Sequence, residues 1–526
     1  MGGVNGTDER RATRGRERTG APGPDAPAPP PRPREGPATA GRRAATAVLV
    51  PAAVMLCLGL WGLDRGTMWR DESATFQIAR RSLPDMGHLL GSIDAVHGLY
   101  YLLMHPVLAV RPDEIALRLP SVAASAVTAG LVAALGCRLA GPRVGLWAGL
   151  LYAGAPFVSH YAQEGRSYAL VATGAALATW LLVRAVEGGS HRRWAGYGAV
   201  VAATALLHEF AILLLAAHAV TLLVSRLRWR VWRAWGCAAA GACAVLVPLV
   251  IVSRGQSAQV SWIRTPGPEQ AEALLRAFAG PGDLVLAVTL LLAAVALLAP
   301  RPRNGPLHLT AVALPLALVP PALLYAAAQY QPLFLDRYLL FCLAGVPLLA
   351  AAGADRLLGL LPPRRTALAA GTAAVAAAFL WQLPVQERER LPTSRGDELA
   401  RPAAVVARLA RPGDAVLFLP LHERRTALAY PGAFAGLRDL TLGRSPAASG
   451  TLFGEEVATA GLRERLSRLP PGARVWVVQD TLTVGTRWFR AQRAEHEKTL
   501  VLDRLCREES SVYVRGGAVS LYVRRE

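Results

Sequence analysis

Apolar residues in this chain gather into runs of roughly 15–25 with short polar breaks, the pattern of membrane-crossing helices. The runs lie near 44–63, 115–138, 144–162, 167–186, 195–208, 210–225, 234–253, 283–300, 308–328, 338–357 and 366–382, which predicts eleven crossings. The stretch 195–225 reads as two short spans around His208-Glu209, because one long helix would carry an uncompensated Glu at the bilayer centre. Between Asp64 and Glu114 lies a long break holding one apolar piece, 99–110, interrupted by His105-Pro106. It is short for a crossing, and an interfacial helix along the membrane face is expected there. A second large break, 254–282, carries Trp262 and Arg264.

From about 383 onward the pattern becomes mixed. An amphipathic helix is expected over 398–409, a strand over 415–419, a helix over 456–469 and a second strand over 474–479. Strands at 511–514 and 519–523 around Gly516-Gly517 predict a hairpin. Residues 383–526 therefore read as a small α/β domain. Residues 1–43, rich in Pro, Gly, Arg and Ala, offer little to bury and read as a disordered tail. The expected fold class is a polytopic α-helical membrane protein of about eleven helices with a C-terminal α/β domain.

Charge supplies the orientation. The net charge is +20, carried by arginine except for Lys498, and the arginines cluster between spans. Arg138 and Arg143, then Arg184, Arg192 and Arg193, then Arg226, Arg228, Arg230 and Arg233 fall on one side, joined by Arg301, Arg303, Arg356, Arg364 and Arg365. Short basic loops on one side are the positive-inside pattern, and not a groove for nucleic acid. This puts the N-terminus in the cytoplasm of a plasma-membrane protein and the C-terminal domain outside. The 526 residues are 53% hydrophobic with mean hydropathy +0.31, in keeping with a membrane protein. The six cysteines form no CxxC or Cys/His pattern and read as packing residues.

Candidate chemistry sits on the outer side. Thr67 to Ser73 carries the adjacent acids Asp71 and Glu72 between Trp69-Arg70 and the next apolar turn. Acids at a membrane boundary are costly to desolvate, and one of them could take a proton from an attacking hydroxyl. The alternative is a capping or salt-bridged pair with Arg70. Asp94 and His97 follow at a spacing that either ligates a divalent cation or hydrogen-bonds to fix the loop. Tyr161 to Tyr168 forms the next outer turn, where Glu164 and Arg166 either pair with each other or enter a pocket. Tyr330 and Asp336-Arg337-Tyr338 map to the same face, and the Arg337 fork suits a lipid phosphate. There is no Walker A loop, GxGxxG or HExxH, so energy would arrive in an activated substrate.

Four pieces in order carry a resemblance: Trp69-x-Asp71-Glu72, Asp94-x-x-His97-x-x-Tyr100-Tyr101-Leu102-Leu103, Ala116 to Ser121, and Tyr161-x-Gln163-Glu164-x-Arg166-x-Tyr168. Together they resemble the bacterial membrane glycosyltransferases of family 39, GT-C enzymes related to protein O-mannosyltransferases. The resemblance spans about 44–382. It implies inverting transfer of a sugar, mannose first, from a polyprenyl-phosphate donor to a protein, glycan or lipid acceptor outside the membrane. It implies Asp71 as the essential acid supported by Glu72, and Asp94 as a second acid or metal ligand. His97, Tyr100, Glu164 and Arg166 would bind substrate, and Arg337 the donor phosphate. Where many members have His-Pro-Pro, this chain has His97-Gly98-Leu99, a less rigid loop. The competing reading is a non-catalytic transporter or flippase for a lipid-linked glycan, which would bury charges near the midplane and show internal repeats.

Overall fold

A computed structural model of the chain describes residues 37–298, 305–360 and 363–526. Most of the expected N-terminal tail, and the Arg301–Arg303 loop used for orientation, lie outside the described residues. The first helix, α1 (Pro37–Leu60), starts seven residues before the expected span border. The expected interfacial break holds α2 (Arg70–Ala79), α3 (Leu83–Leu90) and α4 (Gly98–Val110). Then come α5 (Glu114–Ala140), α6 (Pro142–Gly154), α7 (Pro156–Ala162), α8 (Tyr168–Gly188), α9 (His191–Leu207), α10 (Leu214–Val224) and α11 (Trp229–Gly255). The helical series closes with α12 (Pro268–Ala279), α13 (Asp283–Leu298), α14 (Leu309–Ala328), α15 (Gly345–Leu358) and α16 (Arg364–Glu389).

Every one of the eleven expected spans has a helical counterpart, yet fewer meet the demands of a crossing. Among the described residues six helices are long and apolar enough, and eight if each of two bent pairs is one span. The chain is thus a polytopic helical membrane protein. The shortfall comes from breaks that hydropathy alone smooths over. The run 144–162 is split at Ala155 before Pro156, whose ring cannot continue the preceding helix. The stretch before α13 turns by 78° out of α12, and α15 follows a 3-10 turn, Asp336–Cys342, at 45°. The 195–225 stretch is two helices, parted by extended His208 and a 3-10 turn, Glu209–Leu213.

Beyond α16 the chain builds a five-stranded mixed sheet. Strands β1 (Ala415–Leu419), β2 (Arg438–Asp439), β3 (Leu442–Arg444), β4 (Glu455–Glu456), β5 (Arg474–Gln479), β6 (Cys506–Val514) and β7 (Gly517–Arg524) occur in that order. The main sheet runs β2-β1-β5-β7-β6, with β1 parallel to β2 and β5, and β7 antiparallel to β5 and β6. The β6–β7 hairpin turns at Gly516, where φ is +89° and a side chain would be strained. All five residues of β1 are buried, as a strand covered on both faces requires.

This sheet region directly holds the end of the helices that carries α2. Tyr430 accepts the Met68 N–H at 3.0 Å and donates to Glu114 Oε1 at 2.8 Å. The Leu399 N–H reaches Met68 O at 3.1 Å, and Asp397 takes both the Arg70 N–H, at 3.0 Å, and its Nε, at 2.5 Å. The turn leading into α2 is therefore clamped from residues more than 300 positions later.

Candidate active site

The clamp fixes where α2 begins, and helix geometry does the rest. Asp71 and Glu72 fall in its first turn, where carboxylates complement the helix dipole. Neighbouring helix residues point about 100° apart, so the two acids diverge. Glu72 turns into the core. Its carboxylate takes a two-pronged contact from Arg118, Nε to Oε1 at 2.8 Å and Nη2 to Oε2 at 2.7 Å, plus the Gly165 N–H at 2.8 Å. Burial pushes the Glu72 carboxyl up, but Arg118 outweighs it and holds the group below its ordinary value. Arg118 in turn donates to Gly66 O at 2.8 Å and Thr67 O at 3.0 Å, so one buried pair stitches the α2 turn, α5 and the α7–α8 turn together. Gly165 is needed here, because a Cβ would lie 2.4 Å from Leu117 Cγ.

Asp71 turns the other way, onto the wall of a cavity of about 460 Å³. Asp94, His97, Arg166, His208 and Arg337 line the same cavity. Arg337 Nη2 lies 3.6 Å from Asp71 Oδ2, and Arg337 Cζ lies over the rings of Trp69 and Tyr338, 6.0 and 5.8 Å from their centroids. Arg166 Nη1 donates to the Tyr101 hydroxyl at 3.1 Å and lies 3.9 Å from Asp94 Oδ2, to which Tyr101 also donates closely. Asp94 holds φ +58°, a left-handed conformation that asparagine and aspartate tolerate better than most residues and that costs on the order of 1 kcal/mol. His97 is buried against Ser167 Oγ, 3.4 Å from Nδ1. Burial, with Arg166 and Arg337 nearby, holds its imidazole well below the ordinary value, so it is neutral at pH 7. The far wall carries Glu209, bonded by Ser253 at 2.8 Å, and Gln256 and Gln259, which accept the N–H groups of Ala95 and Asp94 at 2.9 and 3.2 Å.

Among the described residues, three buried donors around this cavity have no partner: Arg166 Nε, Arg337 Nε and Trp69 Nε1. Unmet donors on two guanidinium groups beside the cavity are groups that a bound water or an anion would satisfy. A cation fits poorly beside them. Asp94 is held by Tyr101 and faces Arg166, and the one described His/Cys/Asp/Glu group in ligand range, His422, Glu423 and Asp480, does not include it. Glu423 there is already closely paired with Arg425.

The sequence-predicted residues therefore separate. Asp71, Asp94, His97, Arg166 and Arg337 converge on the cavity. Glu72 does not reach it. Tyr100 is wholly buried behind it, with its hydroxyl unpartnered. Glu164 is buried too, 2.8 Å from Arg395 Nη1, and Tyr330 stands exposed and does not line the cavity, though the neighbouring Gln331 does. Arg118, Asp397, Arg395 and Tyr430 were not singled out from sequence. Arg118 had a signal, a lone charge inside an apolar span. The other three come from the C-terminal region and had none.

The architecture defines a class first: a GT-C-type membrane fold. The crystal structure of ArnT from Cupriavidus metallidurans bound to undecaprenyl phosphate superposes with a TM-score of 0.61 at 14% identity, over 91% of this chain and 98% of that one. ArnT in the apo state gives 0.59 at 13% identity over the same shares. Residues 99–252 match the family described as dolichyl-phosphate-mannose-protein mannosyltransferase. The resemblance to PMT-like GT-C glycosyltransferases is thereby borne out. The matched residues include the Asp94-loop tyrosines and the Tyr161–Tyr168 turn, while Asp71 lies before them. No curated protein sequence matches the chain.

Proposed function

We propose that this protein is a membrane glycosyltransferase that moves a sugar, mannose first among the choices, from a polyprenyl-phosphate carrier to an acceptor outside the membrane. The observation that carries the reading is one carboxylate, Asp71, sharing a cavity with two guanidinium groups whose Nε donors are unmet. Undecaprenyl phosphate bound in ArnT is the kind of donor headgroup such donors would meet. Asp71 accepts the proton of the acceptor hydroxyl as its oxygen attacks the anomeric carbon from the face opposite the carrier. The new C–O bond forms as the C–O bond to phosphate breaks. The electron pair leaves on the phosphate, whose charge Arg337 and Arg166 stabilise, and the anomeric configuration inverts. Glu72 acts as a positioning residue through Arg118, and Asp94 and Tyr101 orient Arg166.

The test is transfer by purified protein from a panel of labelled polyprenyl-phosphate sugars, with membrane extract from a strain lacking the protein as acceptor. Transfer that disappears in Asp71→Asn fits the reading and names the sugar. Equal transfer by both proteins removes Asp71 from the reaction. No transfer from any donor, by folded protein in competent extract, moves the assignment to a lipid-linked-glycan transporter.

A further inference from the structure

A second cavity, of about 690 Å³, lies between α9 and α11. It runs from His191, Arg230 and Arg233 at one end to Ala202 and Val245 at the other. At 1.5 Å per residue, 230 to 245 covers about 22 Å of α11, more than the roughly 15 Å hydrocarbon depth of one leaflet. Its floor is small. The two helices touch where Gly198 meets Ala238, and a side chain added at Gly241 would meet nothing within 4 Å. Only 11% of the most apolar stretch of α11 is buried, so this face looks outward into the bilayer.

The mouth is strongly cationic. Arg226, Arg228, Arg230 and Arg233 stand within eight residues, and none has an acidic partner among the described residues. Trp229 beside them is 72% exposed, as in an aromatic belt at a membrane interface. The opposite ends of these helices, at His208 and Ser253, line the Asp71 cavity. From 230 to 253 is about 35 Å along α11, roughly the thickness of a bilayer. The groove ends at Val245, next to Leu246 of the Asp71 cavity, so the two cavities adjoin along α11 while their charged ends lie a bilayer apart.

We propose that the α9–α11 groove binds an anionic phospholipid of the surrounding membrane, its phosphate on Arg230 and Arg233 and one acyl chain along the glycine and alanine floor. An unpaired arginine pair recognises a phosphate with its planar forks, and a net negative headgroup adds attraction that a zwitterionic one lacks. Small side chains along this stretch, Gly198, Ala199, Ala238, Gly241 and Ala242, leave room there for an acyl chain. The assignment is independent of the reaction proposed at Asp71.

The experiment is native mass spectrometry of the delipidated full-length protein titrated with phosphatidylglycerol or phosphatidylcholine. The wild type should retain phosphatidylglycerol roughly tenfold better. Arg230→Gln with Arg233→Gln, both exposed positions, should abolish that preference without moving the thermal midpoint. Gly241→Phe, which fills the groove and keeps the arginines, should lower retention of both lipids. Arg337→Ala should leave the preference intact, separating this site from the Asp71 cavity. Equal retention of the two lipids, a preference that survives the double arginine variant, or a lipid-free dimer broken by Gly241→Phe would each overturn the proposal.

Discussion

Asp71 and Glu72 are adjacent, chemically alike and set in the same helical turn, yet they belong to different regions of the molecule. The core face of α2 gives Glu72 a dedicated guanidinium and a backbone donor, and nothing is left over for a substrate. The cavity face gives Asp71 a looser neighbour in Arg337, at 3.6 Å, beside open space. Satisfied groups hold structure and under-satisfied groups are free to meet a ligand. The difference teaches that a paired-acid motif need not be a pair of catalysts.

The comparison breaks most easily at Asp71. Asp71→Asn keeps size and loses the base, and transfer should fall on the order of a thousandfold with the thermal midpoint hardly changed. A large loss of stability instead would mean that Asp71 is a structural acid like its neighbour. Glu72→Gln should do the reverse. It strands the buried Arg118 charge, at a cost of about 3–5 kcal/mol in unfolding free energy. Pairing it with Arg118→Met should restore part of that loss, read by thermal unfolding in detergent. A variant that unfolds like wild type but transfers no sugar would return Glu72 to the chemistry.

Arg337 sharpens the cavity side with a smaller effect. Arg337→Lys keeps the charge and removes both the planar fork and the unpaired Nε. Transfer should drop roughly tenfold to a hundredfold, with inhibition by free polyprenyl phosphate weakened in step. If transfer falls while that inhibition is unchanged, Arg337 does not hold the phosphate.

Much of this was readable from hydropathy and short motifs. The apolar runs located the helices, and the acids and arginines at one set of helix ends located the cavity. Two kinds of information were hidden. Breaks such as Ala155-Pro156 and the 78° bend before α13 depend on local backbone geometry that averaged hydropathy does not register. The clamp on α2 depends on Asp397, Leu399 and Tyr430, which follow it by more than 300 residues with no local pattern to tie them. From sequence the C-terminal region read as a small α/β domain, and its contacts make it the support of the Asp71 turn. Alternation of side chains predicts a strand, but not which distant loop its neighbours will grip.

Glu164 lies between the two cases and gives the finest test. It is buried and bonded to Arg395, yet its Oε1 has no partner. Burial pushes its carboxyl up to about 7, because Arg395 offsets only part of the desolvation and Glu72 and Asp71 repel the charge. A carboxyl raised in the folded state binds its proton more tightly there than when unfolded. Its contribution to stability is therefore complete below about pH 4.5 and is lost as pH climbs through about 7. Wild-type unfolding free energy should fall by on the order of 3 kcal/mol across that window, and Glu164→Gln should flatten the fall. Above pH 7 the variant should be the more stable protein. If the wild type instead gains stability over the same range and the variant is weaker throughout, the Arg395 pair outweighs burial, and Glu164 joins Glu72 among the acids that hold the turn into α2 in place.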